Sequence, residues 1–257
     1  MYTDAKKKSS LRKTLFILCI IGAGLCIGFL AYYYMKLQEN KKIYEDLQSQ
    51  PETQTLAANE TEEMTETAES GEKPEIPVNF EELWEINPEI YAWIEIPGTS
   101  VAYPIVQSAS DNSYYLNHTI EGMAGYPGSI YTEGVNSKDF QDFNTLIYGH
   151  DMEDGSMFGG LHQFADPDYL KNHETLIIYT PEYKLTYRIF MSLTYDDRHI
   201  MGNFDFSEDQ EREAYLDSIG NTDEEITADS KIVTLSTCIA AQPSNRFLVE
   251  AVLINEE

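Results

Sequence analysis

The chain has 257 residues, 42% of them hydrophobic, with 17 Lys and Arg against 44 Asp and Glu and a formal net charge of −27. Eight of the cations but only two of the acids fall in residues 1–42, which leaves nine cations against 42 acids over residues 43–257, a net −33. A surface this negative repels polyanions and argues against nucleic acid or anionic lipid as a partner, while it suits the solubility of an exposed domain.

Residues 1–13 form a basic tail carrying Lys6, Lys7, Lys8, Arg12 and Lys13. Leu15 to Ala31 is free of charge, and Tyr32, Tyr33 and Tyr34 extend the apolar stretch to Met35. Residues 14–35 are thus expected to form one transmembrane helix, since roughly 20 apolar residues cross a bilayer and tyrosines suit its interfacial edge. The denser cations before the span place the N-terminus in the cytoplasm and the remainder outside the cell. A cleavable signal peptide is the competing reading. Its usual apolar core is about 7–15 residues and ends in an Ala-x-Ala-like site, neither of which is found here. Cys19 and Cys26, each preceded by leucine, suit packing or lipid contact better than a lipoprotein site.

Residues 36–77 are expected to act as a flexible acidic spacer. From Gln50 to Pro77 the Glu, Thr, Ala and Pro content offers too little apolar surface to offset the entropy of ordering. Residues 78–257 then form one domain with a sizeable core. Phe80 to Ile86 reads as a short amphipathic helix stopped by Asn87-Pro88. Eight strands are predicted: Ala92–Ile96, Val101–Val106, Gly128–Tyr131, Thr145–Tyr148, Thr175–Thr180, Lys184–Leu193, Lys231–Thr237 and Phe247–Ile254. Pro181-Glu-Tyr suits a tight hairpin. Helical insertions are predicted over Ser156–Phe164 with Pro167–Lys171, and from an N-capping Ser207, with Gln210 three residues on, to Gly220. Many short strands with few helices favour a mainly β fold, a closed barrel or sandwich.

Cys238 is the single cysteine outside the N-terminal segment, so it has no disulfide partner in its own domain. It is either buried packing or a nucleophile, and its place between a strand and the polar Ala-Ala-Gln-Pro-Ser-Asn loop favours the nucleophile. A thiolate nucleophile needs a partner base. Of His118, His150, His162, His173 and His199, His150 is favoured because it follows a strand and Gly149, where a side chain is held at a rim. The other four read as surface or core-edge histidines. Arg246, across one short loop from the thiol, is suited to donate to a developing oxyanion.

Thr-Leu-Ser-Thr-Cys238, with Arg246 eight residues on and Leu-Ile-Tyr-Gly-His150 upstream, closely resembles the sortases, membrane-anchored cysteine transpeptidases of Gram-positive bacteria. Tyr-Gly-His-Asp-Met-Glu-Asp-Gly-Ser-Met-Phe, starting at Tyr148, is most similar to class B. The resemblance implies an eight-stranded sortase-type β-barrel over residues 78–257, with an N-terminal helix and helical insertions, preceded by the membrane helix. It implies that Cys238 attacks a threonyl carbonyl in the C-terminal sorting signal of a secreted protein, and that His150 moves the protons. Arg246 then holds substrate and oxyanion, and the thioacyl enzyme passes to an amine of a peptidoglycan cross-bridge or to a pilin lysine. Asn112, Leu116, Ser236 and Thr237 match places where class B members line the peptide groove. Ile239 departs from the acidic residue often found after the cysteine, which bears on substrate contacts in that loop. No cofactor is implied, and no Asp-x-Asp-x-Asp-Gly pattern organises the carboxylates into a calcium site. The alternatives are a cell-wall thiol endopeptidase and an anchored β-barrel adhesion module with a structural cysteine.

Overall fold

The computed structural model describes residues 2–48 and 76–257. It divides into two units, Met1–Ile43 and Tyr44–Glu257. The first is the greater part of one helix, α1 (Tyr2–Gln48). Its stretch Phe16–Gln48, 33 residues, is long and apolar enough to cross a membrane. Phe16, Leu18, Leu25, Ile27 and Leu30 are all exposed along it, as suits side chains that face hydrocarbon. The helix runs on through residues 36–48, the first part of the interval expected to be a flexible spacer. Good helix formers and the Lys36–Glu39 pair one turn apart (2.8 Å) support that extension. The rest of the expected spacer, residues 49–75, lies outside the described residues.

The second unit is built on eight strands: β1 (Ile90–Glu95), β2 (Ala102–Val106), β3 (Ile130–Thr132), β4 (Asn144–Tyr148), β5 (Thr175–Tyr179), β6 (Lys184–Asp196), β7 (Ile232–Cys238) and β8 (Asn245–Glu256). They close into a barrel in the order β1-β2-β3-β4-β7-β8-β6-β5. Closure leaves no unpaired edge, which is why a mainly β chain of this size adopts it. The β2–β3 and β4–β7 pairs are parallel and the remainder antiparallel. All eight expected strands are present with ends shifted by a few residues. The Pro181-Glu-Tyr turn joins β5 to β6, with Thr180 N–H bonded to the Tyr183 carbonyl at 2.9 Å. The short helix α2 (Phe80–Ile86) precedes β1, capped by the Asn79 side chain.

Two insertions cover the barrel. After β4 come a 3₁₀ helix (Gly159–Ala165), where an α-helix was expected from Ser156, and α3 (Pro167–Asn172). Between β6 and β7 lie α4 (Ile200–Asn203), which the sequence did not signal, and α5 (Asp209–Ile219). The N-cap of α5 is Glu208 rather than Ser207, because the Ser207 hydroxyl is taken by Asp205 Oδ1 at 2.6 Å in the preceding turn. Gly220 ends the helix at φ +75°. Tyr215, Leu216 and Ile219 of α5 pack with Leu146, Ile232, Leu248 and Val252 on the outer face of β4, β7 and β8. The alternate residues Val233, Leu235, Val249 and Ala251 point into the barrel and are fully buried. Strand β7 is therefore buried on both sides until it emerges at Cys238.

Candidate active site

Strand register assembles the site. Cys238 pairs with Arg246 across the β7–β8 ladder. Tyr148 pairs with Ser236 in the parallel β4–β7 ladder, so His150, two residues past Tyr148, stands beside Cys238, two residues past Ser236. Arg246 pairs in turn with Tyr195 of β6. Alternation puts His150, Cys238 and Arg246 on the outer face, in one row across the barrel rim. The next row inward holds Tyr131, Tyr148, Ser236 and Leu248, and the one after it Leu146, Thr234 and Glu250. Helix α5 covers the third row and leaves the first open. Cys238 is exposed, which removes the packing alternative for this thiol.

Each member of the first row is fixed separately. His150 Nε2 lies 2.6 Å from the Leu116 carbonyl. A carbonyl only accepts, so Nε2 carries a proton and Nδ1 is the nitrogen left to exchange one. The Tyr126 ring lies over the imidazole, centroid to centroid 4.8 Å. Gly128 (φ +68°) lets this loop press on Leu116, since a Cβ there would come within 2.6 Å of the Leu116 oxygen. Gly149 is not among the glycines with positive φ. A Cβ would sit 2.5 Å from Ile130 and 2.6 Å from the Phe158 ring, so close packing requires glycine there. The Thr237 hydroxyl donates to the Gly149 carbonyl at 2.8 Å and Gly149 N–H to the Ser236 carbonyl at 3.2 Å, extending the β4–β7 contact up to the row. Arg246 Nη1 donates to the carbonyls of Pro243 (3.0 Å) and Asn245 (2.9 Å). Its Nε and Nη2 take no partner among the described residues and are available to a ligand.

The surroundings of the row are polar but partly desolvated. Tyr131 stacks on Tyr148 with centroids 5.3 Å apart. Burial, then Glu133, then the neighbouring Cys238 push the Tyr131 hydroxyl well above the ordinary tyrosine range. Burial first and Glu133 second do the same to Tyr148, so both stay neutral hydroxyls. Glu133 also pairs with His199 at 2.8 Å, tying the end of β3 to the start of α4. Two rows below, Glu250 is wholly buried and burial pushes its carboxyl up to about 7, against hydrogen bonds from Thr234 (2.8 Å) and Tyr215 (2.9 Å). Among the described residues no group of three His, Cys, Asp or Glu side chains is placed to hold a metal ion.

Of the expected groove residues, Ser236 shares the outer face with Cys238, one row in. Leu116 is 38% exposed and supplies the carbonyl that orients His150. Asn112 is exposed and accepts from Gly134 N–H at 3.0 Å, linking the segment after β2 to the one after β3. Thr237 is 2% exposed and its hydroxyl is used by Gly149, so its side chain braces the site from within rather than lining a groove. His162, expected at the surface or core edge, is half-buried with its Nε2 3.2 Å from the Cys238 carbonyl oxygen. Tyr126 and Tyr131 are further neighbours with no local sequence signal, because only long-range packing brings them here, whereas Asp151 is the residue after His150.

A cavity of about 930 Å³ lies elsewhere, lined by Asn144, Phe204, Phe206 and Arg212 at the far end of β4. Strand register and the exposed thiol locate the chemistry better than cavity size does.

A family model described as the sortase domain matches residues 94–254. A protein named Sortase B from Listeria monocytogenes is 31% identical over 239 residues, covering 91% of this chain and 92% of its own. Sortase B from Staphylococcus aureus is 32% identical over 184 residues, 68% of this chain and 74% of its own. Among solved structures, the Staphylococcus aureus sortase B–substrate complex superposes with a TM-score of 0.68 at 28% identity, covering 86% of this chain and 99% of that one. Sortase B from B. anthracis, in complex with AAEK1, gives 0.67 at 32% identity, covering 86% and 99%. The chain belongs to the sortase family, class B, cysteine transpeptidases whose general function is to anchor proteins to the cell wall.

Proposed function

We propose that Cys238, His150 and Arg246 carry out transpeptidation on the sorting signal of secreted proteins. The Cys238 thiol gives its proton to His150 and its sulfur attacks the carbonyl carbon of a threonyl peptide bond. The oxygen, now an oxyanion, is met by the planar guanidinium of Arg246, whose Nε and Nη2 are free to donate. The C–N bond breaks as the leaving amine takes a proton from His150, and a thioester to Cys238 remains. An incoming amine gives its proton to His150 and attacks the thioester. The C–S bond breaks, His150 returns that proton to the sulfur to restore the thiol, and a new amide links the protein to its acceptor, an amine of a peptidoglycan cross-bridge or a pilin lysine. Ser236, Leu116 and Asn112 line the peptide path, while Thr237 acts through its brace on Gly149.

The single observation that carries this reading is the register that sets an exposed thiol between a strand-end histidine and an arginine in one row. The candidate membrane helix at the N-terminus suits single-pass anchoring, with the basic tail in the cytoplasm and the barrel outside. Residues 1–13, 14–35 and 78–257 then serve as tail, anchor and catalytic domain. The test offers the purified full chain a library of peptides with threonine before the cleaved bond, with and without an amine acceptor. Amine-dependent formation of the new amide supports the proposal. Hydrolysis alone, indifferent to amine, selects the endopeptidase reading. No cleavage of any peptide supports a binding module.

A further inference from the structure

One side chain outside the row touches all three of its members or their immediate neighbours. His162, on the 3₁₀ helix Gly159–Ala165, places Nε2 3.2 Å from the Cys238 carbonyl oxygen and 3.3 Å from Asp151 Oδ2. Asp151 directly follows His150. The same imidazole packs on Phe247, the residue after Arg246, with centroids 4.9 Å apart at 44°. A carbonyl only accepts, so Nε2 carries the proton and donates it to the Cys238 carbonyl, with the Asp151 carboxylate within ion-pair distance of the same nitrogen.

The platform that presents His162 is itself held. Asp151 bridges to Met157, Phe158 N–H bonds the His150 carbonyl at 3.0 Å, and Ser192 Oγ donates to the Phe164 carbonyl at 2.8 Å. Cys238, by contrast, is the last residue of β7, and the turn after it, residues 240–244, is exposed. The carbonyl of the nucleophile is therefore fixed from the far side by a histidine on another element.

We propose that His162 is a positioning residue for transpeptidation: its Nε2–H clamps the backbone of Cys238 to the loop bearing His150, setting the distance between sulfur and imidazole. This rests on the reading of Cys238 as nucleophile. The clamp acts on the geometry of attack and not on peptide binding, so its loss lowers kcat and leaves KM nearly unchanged. A displacement of about 1 Å at a reacting atom costs up to about 100-fold in rate.

The test separates the donor from the ring. His162→Phe keeps an aromatic ring against Phe247 and has no N–H; His162→Gln keeps an N–H at similar reach and loses the ring. Both are made in the full chain in detergent and assayed on the best-cleaved member of a fluorogenic peptide library with threonine before the cleaved bond. The expected result for His162→Phe is a kcat at least about tenfold lower with KM within about twofold. His162→Gln is expected to recover kcat to within about threefold of the parent. A parental kcat in His162→Phe overturns the clamp, and so does an equal loss in both variants, which would assign the effect to ring packing. Should His162→Phe fail to fold, Asp151→Ala serves instead: it removes the carboxylate that ties the imidazole to the loop bearing His150, and an unchanged kcat overturns the proposal. Cys238→Ala is run alongside. Turnover surviving in it removes the nucleophile assignment itself, a result distinct from any failure at His162.

Discussion

Two rows on the same face of the same strands have opposite fates. At the rim, His150, Cys238 and Arg246 are open to a ligand. Two rows away along β7 and β8, Thr234 and Glu250 meet Tyr215 beneath α5, and Asn144 Oδ1 joins them through Thr234 while Asn144 Nδ2 is left without a partner among the described residues. The strands offer both rows similar polar side chains at similar spacing. What differs is the lid. Helix α5 excludes water from the lower row, so its polar groups must satisfy one another, whereas the upper row keeps donors and a thiol to spend on substrate.

Substitutions in the upper row should abolish chemistry with little effect on folding. Cys238→Ala is expected to lose the thioester and with it at least about 10³-fold in turnover, and His150→Asn about 10²–10⁴-fold, measured by peptide cleavage. Equal thermal midpoints for the variants and the parent would complete the contrast. Arg246→Lys keeps the charge and loses the planar fork, so kcat/KM should fall at least about tenfold. An unchanged value would detach Arg246 from the reaction.

The lower row should show the reverse. Glu250 holds its proton in the folded state up to about pH 7, while the unfolded chain releases it near 4.5. The native state therefore binds more protons between those values, and this group's contribution to stability falls as pH rises through that window. Glu250→Gln removes the titration and keeps the shape. Relative to the parent, it should gain about 2–3 kcal/mol of stability between pH 5 and pH 8, read by denaturant unfolding at the two pH values. Turnover should stay within about threefold. A difference that does not change with pH, or grows toward acid, would contradict the assignment of a protonated buried carboxyl.

Legibility from sequence followed the range of the interactions. Cys238 and Arg246 lie eight residues apart across a turn, so a hairpin alone makes them neighbours. The choice of His150 needed its strand and glycine, and close packing against Ile130 and Phe158 is what requires glycine there. His162 was hidden because its role depends on a 3₁₀ helix folding back to the barrel mouth, and nothing local distinguishes it from His118 or His173. Those two stack on Tyr114 and Tyr169, four residues earlier, as ordinary local contacts. Glu250 sits inside the apolar run Phe247–Ile254, a visible anomaly, but its partner Tyr215 comes from the helical insertion and could not be paired with it in advance. Ser207 misled as a cap because Asp205, two residues before it, takes its hydroxyl.

The most direct test of the row is the mass of the enzyme during turnover. The full chain is mixed with the cleavable sorting-signal peptide, quenched in acid and analysed intact and after digestion. An adduct equal to the peptide's N-terminal acyl part, carried on Cys238 and removed by added amine, is the predicted result. An adduct on another residue, or cleavage without any covalent intermediate, would contradict it.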